Sequence, residues 1–114
     1  MMSVKDWILL NEEDIKTIYE QSKETDPIFH NEEELVKKAE LFKALGDETR
    51  LRIIGLLAVR DSCMCEIVAA LNGANSTISH HLKQLERGGV ISSRKEGKFT
   101  IFHLNKAVLT YINL

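Results

Sequence analysis

The sequence predicts one mainly α-helical domain that carries a single β-hairpin near its C-terminus. The chain has 114 residues, of which 44% are hydrophobic and 28% are charged, and this length and composition suit one compact domain. Over the first 87 positions, apolar residues recur at helical spacing between residues that commonly cap helices. Residues 90–104 instead alternate around a glycine, which is typical of two strands joined by a turn.

Cap residues divide the first part of the chain into helices. Asn11, Asn31 and Asp47 each precede a glutamate and an apolar helical repeat, so they predict the starts of three helices. Ser62 is predicted to be the N-cap of a fourth helix. The predicted helices cover residues about 12–23, 32–45, 48–59, 63–71 and, from Asn75 or Ser76, up to 87.

Two strands and a short helix are predicted to follow. The strands cover residues 90–95 and 98–104, with Glu96 and Gly97 as the turn, and residues 106–114 can form a short apolar helix. The predicted order is a helix, a short helix, a tight turn, another helix and a hairpin. This is the order of elements in a winged helix-turn-helix. In that fold the second helix of the pair enters the major groove of DNA.

Helix 76–87 has the side chains that a DNA-reading helix needs. With Ile78, Leu82 and Leu85 buried, short hydroxyl, imidazole and amide groups can reach base edges, while Lys and Arg suit phosphates. The hairpin tip adds a basic wing. The predicted DNA contacts are Ser76, Thr77, Ser79, His80, Lys83, Gln84, Arg87, Arg94, Lys95 and Lys98. His81 lies close to the apolar face and is predicted to be a hydrogen-bonded packing residue.

The charge of the chain is divided between its two parts. The net charge is only −2, which by itself argues against a nucleic-acid binder. Residues 1–48, however, carry 13 acidic and 6 basic side chains, whereas residues 49–114 carry 4 acidic and 9 basic ones. A polyanion would therefore meet the C-terminal part as a basic surface.

Four segments resemble one known family of proteins. Residues 41–53 (LFKALGDETRLRI) resemble the opening signature of ArsR/SmtB metal-responsive repressors, and residues 76–85 (STISHHLKQL) resemble their recognition helix. Residues 88–91 (GGVI) and 94–98 (RKEGK) are similar to their turn and wing. The resemblance covers about residues 33–105.

The resemblance implies a homodimer on palindromic double-stranded operator DNA, with one recognition helix on each half-site. It implies an N-terminal arm and dimerisation helix over residues 1–30, a DNA-binding domain over 31–105 and a dimerisation helix over 106–114. Apolar residues at both ends of the chain are available for this interface. They are Trp7, Ile8, Leu9, Leu10, Leu109, Tyr111, Ile112 and Leu114.

Cys63 and Cys65 match the Cys-x-Cys of family members that sense soft metals or metalloids. Two cysteines are too few for a disulfide framework. Thiolates are favoured at a helix N-terminus, and they select arsenite, Cd(II), Pb(II), Zn(II) or Cu(I) over hard cations. Residues i and i+2 of a regular helix point about 200° apart. On this basis both sulfurs are expected to share an ion only if the first turn is distorted.

The ligand set departs from the family in two places. Arsenite sensors often carry a third cysteine where this chain has Val68, and cadmium and lead sensors add cysteines from an N-terminal arm, which has none here. His30, Asp26 or another acidic residue of the arm can substitute and give a mixed site better suited to Zn(II), and Glu66 is a further candidate ligand. The last helix lacks the carboxylates and histidines of the family's other metal site.

The expected function is that of a sequence-specific repressor, released from its operator when a soft ion binds the two thiolates. Two alternatives stay open: a DNA-binding regulator with redox-active or purely structural cysteines, and a winged-helix module for protein–protein assembly. No nucleophile–base set, phosphate-binding glycine loop or carboxylate pair is present, so the chain is not expected to be an enzyme. With no membrane span or signal segment, it is expected to be cytoplasmic, without a membrane partner.

Overall fold

The computed structural model describes residues 10–113. They belong to two compact units that divide between Val36 and Lys37, inside the second helix. Trp7, Ile8, Leu9 and Leu114, which the sequence analysis placed in the dimer interface, lie outside the described residues.

The first unit contains the helix α1, Glu12–Ser22, and a short 3-10 helix, Pro27–His30. As predicted, the Asn11 side chain caps α1 and accepts a hydrogen bond from the Asp14 amide at 2.8 Å. Ile15, Ile18 and Tyr19 share one face of α1, and each is at least half exposed. The first unit therefore presents an apolar face.

The second unit contains the rest of the chain from Lys37 onward. Its helices are the end of α2 (Glu32–Leu45), α3 (Glu48–Val59), α4 (Met64–Leu71), α5 (Asn75–Arg87), a 3-10 helix (Lys106–Val108) and α6 (Leu109–Ile112). Its strands are β1 (Ser62–Cys63), β2 (Ile91–Glu96) and β3 (Phe99–Leu104). The helices differ from the predicted ones by one or two residues, except that the predicted C-terminal helix is a 3-10 turn followed by one α-helical turn.

The strand β1 is a feature that the sequence did not predict. It pairs antiparallel with β3, so that Ser62 lies opposite Phe102 and Cys63 opposite Ile101, and the sheet has the order β1-β3-β2. The prediction that Ser62 caps α4 was wrong, because its backbone belongs to this strand and its hydroxyl donates to the Arg60 carbonyl. Cys63 is the N-cap of α4 instead.

The hairpin turn lies one residue further along than predicted. Glu96 still pairs with Phe99, so Gly97 and Lys98 form the turn. Gly97 has a φ of +61°, which its missing side chain allows. A two-residue hairpin turn needs positive φ at its first position, and this requirement fixes Gly97 there.

The core of the second unit joins α2, α3, α4, α5 and the sheet. Its largest fully buried side chains are Ile53, Ile54, Leu57, Ile67, Ile78, Leu85, Val90 and Leu104. Gly88 at the end of α5 allows a close helix contact, because a Cβ at this position would lie 2.7 Å from the Ala44 Cβ of α2. Within residues 10–113, no helix is long and apolar enough to cross a membrane.

Candidate functional site

The helix α5 presents its polar side chains away from the core. Ile78, Leu82 and Leu85 are buried, which anchors one face of α5 against the rest of the unit. Most of the predicted DNA contacts on α5 are exposed, and Ser79 and Gln84 are half-buried. The exposed ones are Ser76, Thr77, His80, Lys83 and Arg87. The fold thus brings the predicted contacts of this helix onto its accessible surface.

Arg50 links α3 to both α2 and α5. Its Nε donates to the Ala44 carbonyl at 2.8 Å and its Nη2 to the Lys43 carbonyl at 3.1 Å, which satisfies carbonyls at the C-terminus of α2. Its Nη1 lies 3.1 Å from His81 Nδ1. A guanidinium only donates, so His81 accepts this hydrogen bond. The prediction that His81 is a hydrogen-bonded packing residue is confirmed.

Asp47 lies at the same junction of α2, α3 and α5. Its carboxylate caps α3 by accepting from the Arg50 amide at 3.0 Å, and this hydrogen bond lowers the pKa of Asp47 below its ordinary value. The positive charge of the Arg50 side chain lowers the pKa further. Asp47 therefore fixes the start of α3, and Arg50 holds α5 through His81.

On the wing, the basic residues differ in their surroundings. Lys95 and Lys98 are exposed, and neither makes an ion pair within residues 10–113. Arg94 instead donates from Nη1 to Asp61 at 2.8 Å and from Nε to Glu96 at 3.2 Å. Asp61 also accepts from His103 Nδ1 at 2.8 Å. The hydrogen bond from Arg94, followed by that from His103, lowers the pKa of Asp61.

The two cysteines lie at the N-terminus of α4. Cys63 has an extended backbone (φ −82°, ψ 167°), so it precedes the helix, while Cys65 lies in the first turn. A hydrogen bond between the two thiols raises the pKa of Cys63, and the Glu66 amide opposes this shift. The two sulfurs were expected to diverge only if both residues lay inside a regular helix, and Cys63 lies outside it.

The cysteines line a cleft between α4 and the wing. The cleft has a volume of about 310 Å³, and its lining is largely apolar. Cys63 is buried and Cys65 exposed. The lining residues are Cys63, Met64, Cys65, Lys98, Phe99, Thr100 and Phe102. An ion held by the thiols would thus lie beside the wing.

The additional candidate ligands are engaged in other contacts. Glu66 accepts from the Cys63 amide at 3.0 Å and pairs with Arg60 at 3.1 Å. His30 lies in the first unit, where its Nδ1 is 3.0 Å from the Lys23 carbonyl, and Asp26 caps the 3-10 helix there. Among residues 10–113, no group of three or more His, Cys, Asp or Glu side chains is arranged to hold a metal ion.

Known proteins resemble this chain in sequence and in fold. The family model described as "Bacterial regulatory protein, arsR family" matches residues 47–93, from the N-cap of α3 into β2. An arsenic resistance transcriptional regulator of Pseudomonas putida is 34% identical over 80 residues, which cover 69% of this chain and 70% of that protein. The chain belongs to the ArsR family. As an ArsR-family protein it is a DNA-binding transcriptional repressor, and the predicted winged helix-turn-helix is confirmed.

Two further proteins are similar to this ArsR-family chain. An uncharacterized HTH-type transcriptional regulator of Methanocaldococcus jannaschii is 45% identical over 73 residues, which cover 63% of this chain and 82% of that protein. The homodimeric winged helix-turn-helix DNA-binding domain Mb0332 of Mycobacterium bovis, a possible ArsR-family regulator, superposes with a TM-score of 0.65. The two are 29% identical, and the match covers 69% of this chain and 74% of that one. These relatives are regulators rather than enzymes.

Sequence reasoning did not select Arg50 or Asp61 in this ArsR-family chain. Arg50 lies inside the segment that carries the family resemblance, and its place in that segment could have marked it as a candidate. Asp61 is one of only four acidic residues after position 48, so its acidity in a basic region was a signal as well. The side-chain partners of the two residues, His81 for Arg50 and Arg94 and His103 for Asp61, are more than 30 positions away, and local patterns do not show such contacts.

Proposed function

We propose that the chain acts as a homodimer that binds a palindromic operator through α5 and the wing. We further propose that a soft metal or metalloid ion, captured by Cys63 and Cys65, releases it. The observation that carries this proposal is that Cys63 and Cys65 line one cleft at the start of α4. Two adjacent sulfurs form a donor pair for thiophilic ions such as arsenite, Cd(II), Pb(II), Zn(II) or Cu(I).

The DNA interface in this proposal combines base and phosphate contacts. Ser76, Thr77, Ser79, His80 and Gln84 read base edges from α5. Lys83, Arg87, Lys95 and Lys98 neutralise phosphates. The homodimeric relative supports two such surfaces, one for each half of an inverted repeat.

Ion capture is coupled to DNA binding through the elements on which the cysteines lie. Cys65 is in α4, which packs against α5, and Cys63 is in β1, which pairs with the wing strand β3. Drawing the sulfurs together around an ion therefore displaces the supports of both the reading helix and the wing. A coupling free energy of about 1–3 kcal/mol weakens DNA binding about 5- to 150-fold.

The test uses reduced protein and the DNA duplex that it selects from a random-sequence library. Fluorescence anisotropy measures DNA binding as arsenite, Cd(II), Pb(II), Zn(II) or Cu(I) is added. We expect two inverted half-sites in the selected duplex and release by at least one ion, together with thiolate-to-metal absorbance. Cys63→Ser and Cys65→Ser should keep the DNA affinity but lose the response.

Met64→Leu is the matched control, because it changes the residue between the two cysteines and leaves both sulfurs in place. It should respond like the wild type. If no ion weakens DNA binding more than a few-fold, the sensing part is wrong while the DNA-binding part stands. Release by a thiol oxidant, with all ions inactive, would instead support the redox alternative. Absence of salt-dependent DNA affinity would support a protein–protein assembly module.

A further inference from the structure

Asp61 lies in the short connection between α3 and β1 and contacts two strands of the wing. Its Oδ1 accepts from His103 of β3 and its Oδ2 from Arg94 of β2, both at 2.8 Å. A carboxylate only accepts, so His103 donates from Nδ1. One side chain thus joins the beginning of β1 to both strands of the hairpin.

The register of the sheet explains why these groups meet. Arg94 lies opposite Ile101, and Ser92 lies opposite His103, so Arg94 and His103 project from the same face. Cys63 also lies opposite Ile101, on the other side of β3. Asp61 precedes Cys63 by two residues and therefore points to that same face.

The local charge argues against a phosphate contact by Arg94. Its guanidinium is bound by Asp61 and Glu96, so this group of three side chains carries one excess negative charge. A DNA phosphate would have to displace a carboxylate or approach beside it. Lys95 and Lys98, exposed near the turn, have no such competitor within residues 10–113.

We propose that Asp61 is a positioning residue that fastens the wing to β1 through Arg94 and His103, and that Arg94 serves this contact rather than a DNA phosphate. The proposal rests on DNA binding by α5 and the wing as proposed above, and it removes Arg94 from the DNA contacts that the sequence predicted. It also gives β1, which carries Cys63, a side-chain connection to β2 in addition to the backbone pairing with β3.

Whether Asp61→Asn weakens or strengthens DNA binding distinguishes a positioning role of Asp61 from simple repulsion between its charge and DNA. Removal of a negative charge from a DNA-binding surface ordinarily strengthens binding to DNA. If Asp61 holds the wing, the variant should instead bind the selected duplex about two- to fivefold more weakly, the size expected for one exposed ion pair. Glu86→Gln, which removes an acid from α5 without touching the wing, is the control and should not weaken binding.

Arg94→Gln should weaken binding as Asp61→Asn does, and the double variant should be no weaker than the weaker single variant, because both substitutions break the contact between Asp61 and Arg94. The slope of log affinity against log salt should stay unchanged in these variants. Lys98→Ala, in contrast, should flatten the slope by about 0.9, as the loss of one phosphate contact does. Additive losses, or a flatter slope for Arg94→Gln, would show that Arg94 contacts DNA and would overturn the proposal.

A measurement without DNA keeps the proposal testable even if the proposed interface is wrong. Amide hydrogen exchange of β2 in the free protein should become faster in Asp61→Asn and in Arg94→Gln, while the amides of α5 keep their wild-type rates. Unchanged exchange in β2, or Asp61→Asn binding DNA as tightly as the wild type, refutes the role of Asp61. Failure of the wild type to bind DNA refutes the proposed function alone.

Discussion

Arg50 should contribute far more to stability than Arg52, although the two residues are neighbours on α3. Arg50 donates three hydrogen bonds, to the carbonyls of Ala44 and Lys43 and to His81. The bonds to Ala44 and His81 are part-buried and the bond to Lys43 is exposed. At about 1 kcal/mol for each bond, Arg50→Met should lower the free energy of unfolding by about 2–3 kcal/mol.

Arg52 supplies the matched control. It makes one ion pair with Glu48 at 2.6 Å, and both side chains are mostly exposed. Such a pair on a helix surface contributes about 0.3–0.5 kcal/mol, so Arg52→Met should be close to the wild type.

Urea denaturation followed by circular dichroism measures both variants, at one protein concentration because a dimer's stability depends on concentration. The midpoint of Arg50→Met should fall well below that of Arg52→Met, at an unchanged slope. If the two variants agree within about 0.5 kcal/mol, the hydrogen bonds of Arg50 do not stabilise the junction of α2, α3 and α5 as argued.

Three further predictions concern the same unit. The pKa of Asp47 is lowered in the folded protein, so its contribution to stability is present above about pH 4 and is lost as the pH falls through the folded-state pKa. The urea midpoints of Asp47→Asn and the wild type should therefore converge on acidification. A difference that stays constant with pH would contradict this. Gly88→Ala should destabilise the fold by about 1–3 kcal/mol, because the added Cβ would crowd the Cβ of Ala44. Gly55→Ala should instead raise the melting temperature, because its added Cβ meets nothing within 4 Å and alanine favours the helix. Lys83→Ala should weaken binding to all DNA sequences and flatten the salt dependence by about 0.9, and a change confined to one base position would argue against a phosphate contact.

The features that the sequence predicted well are those with local causes. Asn11 and Asp47 begin helices because each side chain accepts a hydrogen bond from an amide three residues later. Asn72, next to Gly73, ends α4 in the left-handed conformation that asparagine tolerates. The apolar spacing of Ile78, Leu82 and Leu85 likewise fixed the buried face of α5, and with it the exposed set of candidate DNA contacts.

The candidate site was harder to predict because its geometry depends on β1. A strand of two residues has almost no periodicity of its own, and Ser62 and Cys63 become extended only because Phe102 and Ile101 supply a pairing partner. Their pairing places Cys63 just outside α4, where it lines the same cleft as Cys65. The residue types at the site were therefore visible in the sequence, but their arrangement was not.

The sequence by itself determined the helices, the hairpin, the basic C-terminal half and the identity of the two thiols, since caps, periodicity and charge act over a few residues. The tertiary structure alone decided that both cysteines line one cleft, that Arg50 joins three helices and that Arg94 pairs with Asp61. The Arg50–His81 and Arg94–Asp61 contacts join residues more than 30 positions apart. The placement of Cys63 depends on a strand pairing across almost forty residues. Such contacts form only when the core packs the helices and the sheet together.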